Sequence, residues 1–284
     1  MLKFFSFCCL IGKVSENDLL SALSTLLKSL DYYVKEYQFI IYTNFNVTIN
    51  HKNLIVRNYY DNTINKLYDD SPYGIWLNLS FNKINIYKDL YDEFEEDYIW
   101  TDLDLIITHD ISYIDNIDNF FVEHGGNCSQ QRFPIIENYF DVPYNKYIQG
   151  ALWKININLY NKLMDTLNDL NQKGLKLVYD SQGLFAYYIY GVLDGKLDTN
   201  NINISGYNFK PETINGLGVW SNEINVPKHL NIDAFNNFYK ENDIIKTNYY
   251  PDKEIHILMF TFNSFIENES KYKYKLKELF DFLN

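Results

Sequence analysis

The start of the chain alternates short apolar runs with one amphipathic helix, and this alternation constrains the fold more than any other feature. Leu2–Ile11, Tyr37–Tyr42 and Asn53–Arg57 are apolar runs of strand length. After the first run, Ser15-Glu16-Asn17-Asp18 has the pattern of a capping box and predicts a helix that extends to about Leu30. Parallel strands need long crossover connections, so this order predicts an α/β fold with a mostly parallel sheet flanked by helices.

The same periodicities predict the later elements, and no internal repeat or flexible linker divides the chain. We therefore expect one domain over residues 1–284. The predicted elements are a helix from Gly74 to about Glu95, strands at Tyr98–Trp100 and Leu105–Ile107, a loop-rich stretch over Asp115–Asn138, a strand at Tyr147–Ile155, a helix from Asn156 or Asn158 to about Lys173, a helix from Asp180 to Tyr190, an irregular or β segment over Asn200–Trp220, a late strand at Glu254–Phe262 and a terminal helix at Tyr272–Leu283.

Charge narrows the range of partners. The formal net charge is −12, and an acidic surface repels phosphate backbones, so a nucleic acid is not expected as a partner. An anionic membrane is disfavoured for the same reason, although a local basic patch could still make peripheral contact with one. No apolar run is long enough to span a bilayer.

The three cysteines predict reduced thiols. Cys8 and Cys9 are adjacent in an apolar run, where they point to opposite faces and cannot form a disulfide with each other easily, and Cys128 stands alone. No signal-peptide cleavage site follows Leu2–Ile11. We therefore expect an intracellular, cytoplasmic protein.

The segment Asp102-Leu103-Asp104 is the strongest candidate for a functional site. It is the only Asp-x-Asp in the chain and lies between two apolar runs. Two carboxylates two residues apart at the end of a strand face the same side. Such a pair can share a hard divalent cation, Mn²⁺ or Mg²⁺, that bridges substrate phosphates. In open α/β sheets ligands bind beyond the carboxyl ends of the strands, where this pair is predicted to lie.

This segment resembles the aspartate motif of glycosyltransferases with the GT-A fold, in particular the glycogenin-like and bacterial galactosyltransferase group. The resemblance implies a nucleotide-binding half over residues 1–110 and an acceptor-side half over residues 111–284. Lys83, on the helix before the motif, corresponds to a basic residue that approaches the donor in the family. Tyr147 to Trp153 resembles the strand that lines the donor-sugar pocket, which implies donor contacts for Gln149 and Gly150, although the family's Asn is replaced here by Ile148 or Gln149.

Two further correspondences follow later in the chain. Asp180-Ser181-Gln182 resembles the family's Asp-x-Gln element, which implies that Asp180 and Gln182 contact the transferred sugar near the reaction centre. A His from a late segment completes the metal site in the family, and His256 is the best match here. The family's Lys-Pro-Trp companion does not follow it, and His229 is the next candidate.

The resemblance implies transfer of a sugar from a nucleotide-sugar donor, with UDP-glucose or UDP-galactose the leading candidates, to a glycan, lipid-linked or protein hydroxyl. It implies retention of anomeric configuration, whereas Asp180 could act as the base of an inverting enzyme. Two alternatives stay open. A sugar nucleotidyltransferase uses similar metal–phosphate chemistry, and a carbohydrate-binding protein without activity could share the fold.

Overall fold

The computed structural model describes residues 1–10, 15–59, 72–103, 105–123, 132–136, 140–143, 148–177, 180–193, 203–206, 219–221, 238–242, 244–247 and 256–259. The predicted terminal helix, Asp104, Cys128 and His229 lie outside these residues. Side chains are described for most but not all of these positions.

The described elements follow the predicted order of strands and helices. The helices are α1 (Glu16–Tyr33), α2 (Pro72–Phe94), α3 (Ile157–Gln172) and α4 (Asp180–Ala186), with a 3₁₀ turn at Ser112–Asn116 and a π-helix at Tyr187–Val192. The strands are β1 (Leu2–Cys8), β2 (Tyr37–Thr43), β3 (Leu54–Asn58), β4 (Ile99–Thr101), β5 (Leu105–Ile107), β6 (Phe120–Glu123), β7 (Arg132–Ile136), β8 (Phe140–Pro143), β9 (Ile148–Lys154), β10 (Asn203–Gly206), β11 (Val219–Ser221), β12 (Phe238–Glu241), β13 (Ile244–Thr247) and β14 (Ile257–Met259).

The helix ends agree with the local chemistry. Ser15 caps α1 by accepting a hydrogen bond from the Asp18 backbone, as the capping pattern predicts. Asn156 caps α3 in the same way through Leu159. Gly174 follows α3 with a φ of +69°, a left-handed conformation that glycine adopts without the steric penalty of a Cβ.

The central sheet confirms the predicted mixed, mostly parallel α/β architecture. Its strand order is β10-β6-β9-β4-β1-β2-β3. Within the described part of this sheet, β9 alone runs antiparallel to its neighbours, β4 and β6. A smaller sheet has the order β11-β14-β5, and its edge strand β5 follows the Asp102 segment in the chain.

The order of the sheet creates a switch point between β1 and β4. From β1 the chain builds outward through β2 and β3, then returns across the sheet to place β4 on the other side of β1. Connections that leave two neighbouring strands in opposite directions open a crevice at their carboxyl ends. Asp102 directly follows β4, so it lies at this crevice.

The two faces of the central sheet pack against different elements. On the face covered by α1, the core includes Phe4, Phe39, Ile99 and Leu152. The other face packs against α2, α3 and α4 through residues such as Phe5, Ile40, Trp100 and Trp153. Because side chains alternate along a strand, each apolar run supplies both cores, which explains why these runs are continuous rather than alternating.

The loop-rich interpretation of Asp115–Asn138 is wrong in part. The strand β6 lies inside the central sheet between β9 and β10, and its Phe120 and Phe121 are fully buried. The strand is only four residues long and Asn119 precedes it. A segment so short has too little periodicity to be distinguished from a loop without its sheet partners.

The described cysteine thiols are free and buried. Burial is the main cause that raises the pKa of Cys8 and the pKa of Cys9 to about 12. The Cys9 thiol donates a hydrogen bond to the Tyr42 carbonyl, with a Sγ–O distance of 3.4 Å. Both thiols therefore stay protonated and unreactive at neutral pH.

Among the helices that the structure describes, none combines the length and apolar character needed to cross a membrane.

Candidate functional site

Trp100 and Asp102 form the base of the candidate site. Residues two apart on a strand project to the same side, and the Trp100 side chain is 1% exposed in the core beneath α2. Its indole Nε1 donates a hydrogen bond to Asp102 Oδ1 at 3.0 Å. The Asp102 side chain remains 33% exposed, so one part of the carboxylate is fixed by the core while the rest faces outward.

Lys83 reaches the same carboxylate oxygen from α2. Its Nζ donates to Asp102 Oδ1 at 3.0 Å, and its side chain is 13% exposed. The same Nζ lies 4.3 Å from the centroid of the Trp100 ring, within range of a cation–π contact. The predicted proximity of Lys83 to the aspartate motif is therefore present in the structure.

The strand β9 places a second predicted element beside the first. The Asp102 backbone N–H donates to the Ala151 carbonyl at 2.7 Å, which puts Gly150 next to the motif. A Cβ added to Gly150 would lie 2.7 Å from Gln182 Nε2 and 2.9 Å from Gln182 Cγ. The absence of a side chain at Gly150 thus makes room for the Gln182 side chain.

A buried serine contact ties the two helices of the site together. Ser80 Oγ on α2 lies 3.4 Å from Ser181 Oγ on α4, and both side chains are buried. Ser80 is about one helical turn from Lys83, and Ser181 directly precedes Gln182. This contact therefore links the parts of α2 and α4 that carry Lys83 and Gln182.

Four of the predicted site residues are thus brought together on one face of the sheet: Lys83, Asp102, Gly150 and Gln182. Asp104 lies outside the described residues, so its part in the site remains a prediction. The backbones of Gln149 in β9 and Asp180 at the start of α4 are at the expected places, and their side chains are not described.

Leu103 has a different environment from its neighbour Asp102. Its side chain is 3% exposed and packs in the core on the α1 face. A contact between Leu103 and a cofactor is consequently left to the backbone of this residue.

The register of β14 places His256 beside the end of β5 that is remote from the Asp102 segment. His256 directly precedes β14, which pairs antiparallel with β5 so that Ile257 lies opposite Ile107 and Met259 opposite Leu105. The His256 carbonyl accepts a hydrogen bond from the Thr108 backbone. From Leu105 to Thr108 the strand advances about 10 Å away from the motif. The structure therefore gives no support to His256 as the third metal ligand.

The His256 side chain is packed in the protein interior. It is 4% exposed. Its ring stacks on His109 with centroids 4.3 Å apart, and its Nδ1 lies 2.8 Å from the Tyr113 hydroxyl. These contacts join the segment after β5 to the start of β14.

The described oxygen atoms of the site supply part of what a hard cation needs as ligands. Asp102 Oδ1 accepts hydrogen bonds from Trp100 and Lys83, whereas Oδ2 accepts none from the described residues. A partly exposed carboxylate oxygen is a ligand that Mn²⁺ and Mg²⁺ favour. Among the residues that the structure describes, no group of three or more His, Cys, Asp or Glu side chains could hold a metal ion.

A second cluster of lysine and aspartate lies at the opposite end of β4. Lys154, 7% exposed, pairs with Ile99 at the amino end of that strand. Its Nζ donates to the Asp115 carbonyl at 2.9 Å, and burial lowers its pKa. Asp97 accepts a hydrogen bond from the Tyr87 hydroxyl at 2.7 Å, and burial raises the pKa of Asp97.

The fold and the site together define a mixed α/β protein whose mostly parallel central sheet, compatible with a Rossmann-like fold, carries polar side chains at its switch point. No protein-family model matches the chain, and no curated protein matches it either. Its function must therefore be inferred from the chemistry of the site.

Sequence reasoning missed two parts of this site. Trp100 was recognised only as an apolar flank of the motif, although its position two residues before Asp102 predicts that both side chains share a face. The Ser80–Ser181 contact had no sequence signal, because it joins residues that are 101 positions apart.

Proposed function

We propose that this protein is a metal-dependent glycosyltransferase of the GT-A type that uses a nucleotide-sugar donor. The observation that carries the proposal is the convergence of Lys83, Asp102, Gly150 and Gln182 beside the switch point of the sheet. These residues come from α2, the end of β4, β9 and α4. They were singled out by resemblance to one family's motifs, and a chance resemblance would not require them to be neighbours.

The location favours a ligand that carries phosphate groups. Nucleotides bind at the switch points of open α/β sheets, beyond the carboxyl ends of the strands. Lys83 supplies a positive charge at this place in a chain whose net charge is −12. A localised cation beside a carboxylate that can hold Mn²⁺ or Mg²⁺ suits the diphosphate of UDP-glucose or UDP-galactose.

The chemistry required of the site is mainly electrostatic. A divalent cation, when bound, stabilises the charge that grows on the departing nucleoside diphosphate. Asp102, together with Asp104, would hold this cation through carboxylate oxygens. Lys83 would donate a hydrogen bond to a phosphate oxygen and add to the same stabilisation.

Gln182 is the residue best placed to orient the donor sugar. Its side chain lies against Gly150, and the space it occupies would be partly filled by a Cβ on any other residue at position 150. An amide side chain offers both a donor and an acceptor to sugar hydroxyls. Asp180 begins the same helix, and we assign it to the transferred sugar or the acceptor hydroxyl, which is a glycan, lipid-linked or protein group.

A screen of UDP- and GDP-sugars with Mn²⁺ or Mg²⁺ tests this function. Slow donor hydrolysis without an acceptor is expected to release a nucleoside diphosphate. Release of pyrophosphate would instead identify a sugar nucleotidyltransferase. Binding of sugar without binding of any nucleotide would contradict the proposal and favour a carbohydrate-binding protein.

A further inference from the structure

We infer that Trp100 is a positioning residue for the metal site: its indole N–H fixes Asp102 Oδ1, so that Asp102 binds the cation through Oδ2 alone. This inference rests on the proposed function, because it concerns how Asp102 presents its carboxylate to a metal. No motif used to identify the site includes Trp100.

The geometry restricts the rotation of the carboxylate. Oδ1 accepts one hydrogen bond from Trp100 Nε1 and one from Lys83 Nζ, both at 3.0 Å. These donors come from different elements, the strand that precedes Asp102 and the helix that covers it. Two donors on a single oxygen hold the carboxylate plane in one orientation and turn Oδ2 away from them.

The two donors are not equivalent. Lys83 is a long, charged side chain that can leave Asp102 for a phosphate oxygen when a nucleotide binds. Trp100 is fixed mainly by burial, because its ring is 1% exposed. It also stacks on Trp153, with centroids 6.2 Å apart and planes 18° apart. Phe5 and Phe7 close its other sides with edge contacts. The indole therefore holds Oδ1 even after Lys83 has left.

Ligand side chains of metal sites are generally oriented by such hydrogen bonds, and loss of one weakens metal affinity about 10- to 100-fold. A tryptophan that only packed in the core would have no specific effect on metal affinity. Its removal would lower stability and leave the binding of a metal by the folded protein nearly unchanged.

Trp153 provides a matched control for this distinction. It is fully buried in the same aromatic cluster and contacts the same Phe5 ring. Its Nε1, however, makes no hydrogen bond to any residue that the structure describes. Trp153→Phe therefore removes the same ring area as Trp100→Phe without removing a hydrogen bond to the carboxylate.

The experiment measures the dissociation constant of Mn²⁺ in the presence of UDP by electron paramagnetic resonance, for the full chain, Trp100→Phe and Trp153→Phe. We expect Trp100→Phe to weaken Mn²⁺ binding by about tenfold or more, and Trp153→Phe to change it less than about twofold. Equal effects of the two variants would overturn the role of Trp100 and leave the proposed function intact. No Mn²⁺ binding by the unsubstituted protein would overturn both.

A second measurement does not require Trp100→Phe to fold. The chain has four tryptophans, so the indole N–H signals of the ¹⁵N-labelled protein form a simple nuclear magnetic resonance spectrum. We expect Asp102→Asn to shift the Trp100 indole signal more than the Trp153 signal, because the charged acceptor is lost. An unchanged Trp100 signal would refute the hydrogen bond and with it the inference.

Discussion

The two ends of β4 carry similar side chains in opposite arrangements. At the carboxyl end, Lys83 lies on the carboxylate of Asp102, which is one-third exposed. At the amino end, Lys154 is buried and donates to a backbone carbonyl, while Asp97 is bound by Tyr87. Lysine and aspartate are therefore present at both ends, but among the described residues the lysine lies on the carboxylate at the carboxyl end alone, and this end opens on the crevice.

The difference teaches that residue type is less informative than the partner of each group and its place on the sheet. At the amino end, Asp97 and Lys154 make hydrogen bonds to neighbouring residues of the protein, Tyr87 and Asp115 respectively. At the carboxyl end, Asp102 Oδ2 accepts no hydrogen bond from the described residues, and Lys83 can exchange its partner. The carboxyl end is thus suited to a ligand, and the amino end to stability.

The largest effect is expected from Asp102→Asn. Loss of the charged ligand should reduce metal-dependent donor hydrolysis by about 100- to 1,000-fold, the size found when a group that stabilises developing charge is removed. Because Asp102 is partly exposed, circular dichroism should show an intact fold. Asp97→Asn is the matched control at the other end of β4, and its activity should remain within about twofold of the original. Equal losses in both variants would contradict the comparison.

The two lysines should separate binding from stability. Lys83→Ala is expected to weaken UDP-sugar binding by about 10- to 100-fold, because a hydrogen bond to a charged group is lost. Lys154→Ala should leave binding unchanged but lower the free energy of unfolding by about 2 kcal/mol, since it empties a buried position and removes a hydrogen bond. Calorimetry and urea denaturation measure the two effects. An inverse result, with Lys154 controlling binding, would refute the assignment of the two ends.

Two glycines offer a smaller test, with Gly150 beside the carboxyl end of β4 and Gly174 after α3 as its control. In Gly150→Ala the new Cβ would lie 2.7 Å from Gln182 Nε2, so Gln182 must move, and we expect kcat to fall by about tenfold through misplacement of this side chain. Gly174→Ala has no such neighbour but retains the φ of +69°. It should lower stability by about 1 kcal/mol without changing kcat. Unchanged kinetics for Gly150→Ala would remove Gln182 from the site.

The last test concerns the Cys8 thiol at the end of β1, and its effect is confined to alkaline pH. The pKa of Cys8 is raised from 9.0 to about 12 mainly by burial, so the folded protein keeps a proton that the unfolded chain loses above pH 9. The contribution of this thiol is fully present below pH 9 and is lost as the pH rises from 9 to 12. In Cys8→Ala, the decline of the free energy of unfolding above pH 9.5 should be shallower by up to about 1.4 kcal/mol per pH unit. Urea denaturation at pH 8, 9.5 and 10.5 measures this, and an identical decline in both proteins would contradict it.

Most of the parallel sheet was predictable from the sequence, because long apolar runs and capped helices have strong local signals. The strands β1, β2, β3 and β9 and the helices α1, α2 and α3 begin and end within a few residues of their predicted limits. β6 was missed because four residues flanked by polar side chains have no clear period. Its strand character comes from pairing with β9 and β10, which sequence patterns do not reveal.

The sequence predicts the site residues that are recognised by residue type and order. It does not predict positions that depend on which distant strand a segment pairs with. Lys83, Asp102, Gly150 and Gln182 are recognised by residue type and order, and the structure brings them together. His256 was assigned because the resembled family has a metal-binding His in a late segment, and the antiparallel pairing of β14 with β5 directs it to the far end of that strand. The register of a late strand cannot be derived from its sequence when its partner is about 150 residues earlier.

The central claim is that Asp102 anchors a metal-dependent nucleotide site at the carboxyl end of β4. Isothermal titration calorimetry with UDP, with and without Mn²⁺, on the full chain and on Asp102→Asn, tests it most directly. We predict that UDP binds the unsubstituted protein at least about tenfold more tightly with Mn²⁺ than without it, and that Asp102→Asn removes this difference. Binding of UDP that is equally tight in the presence and absence of Mn²⁺, or an Asp102→Asn variant that retains the full Mn²⁺ dependence, would contradict the claim.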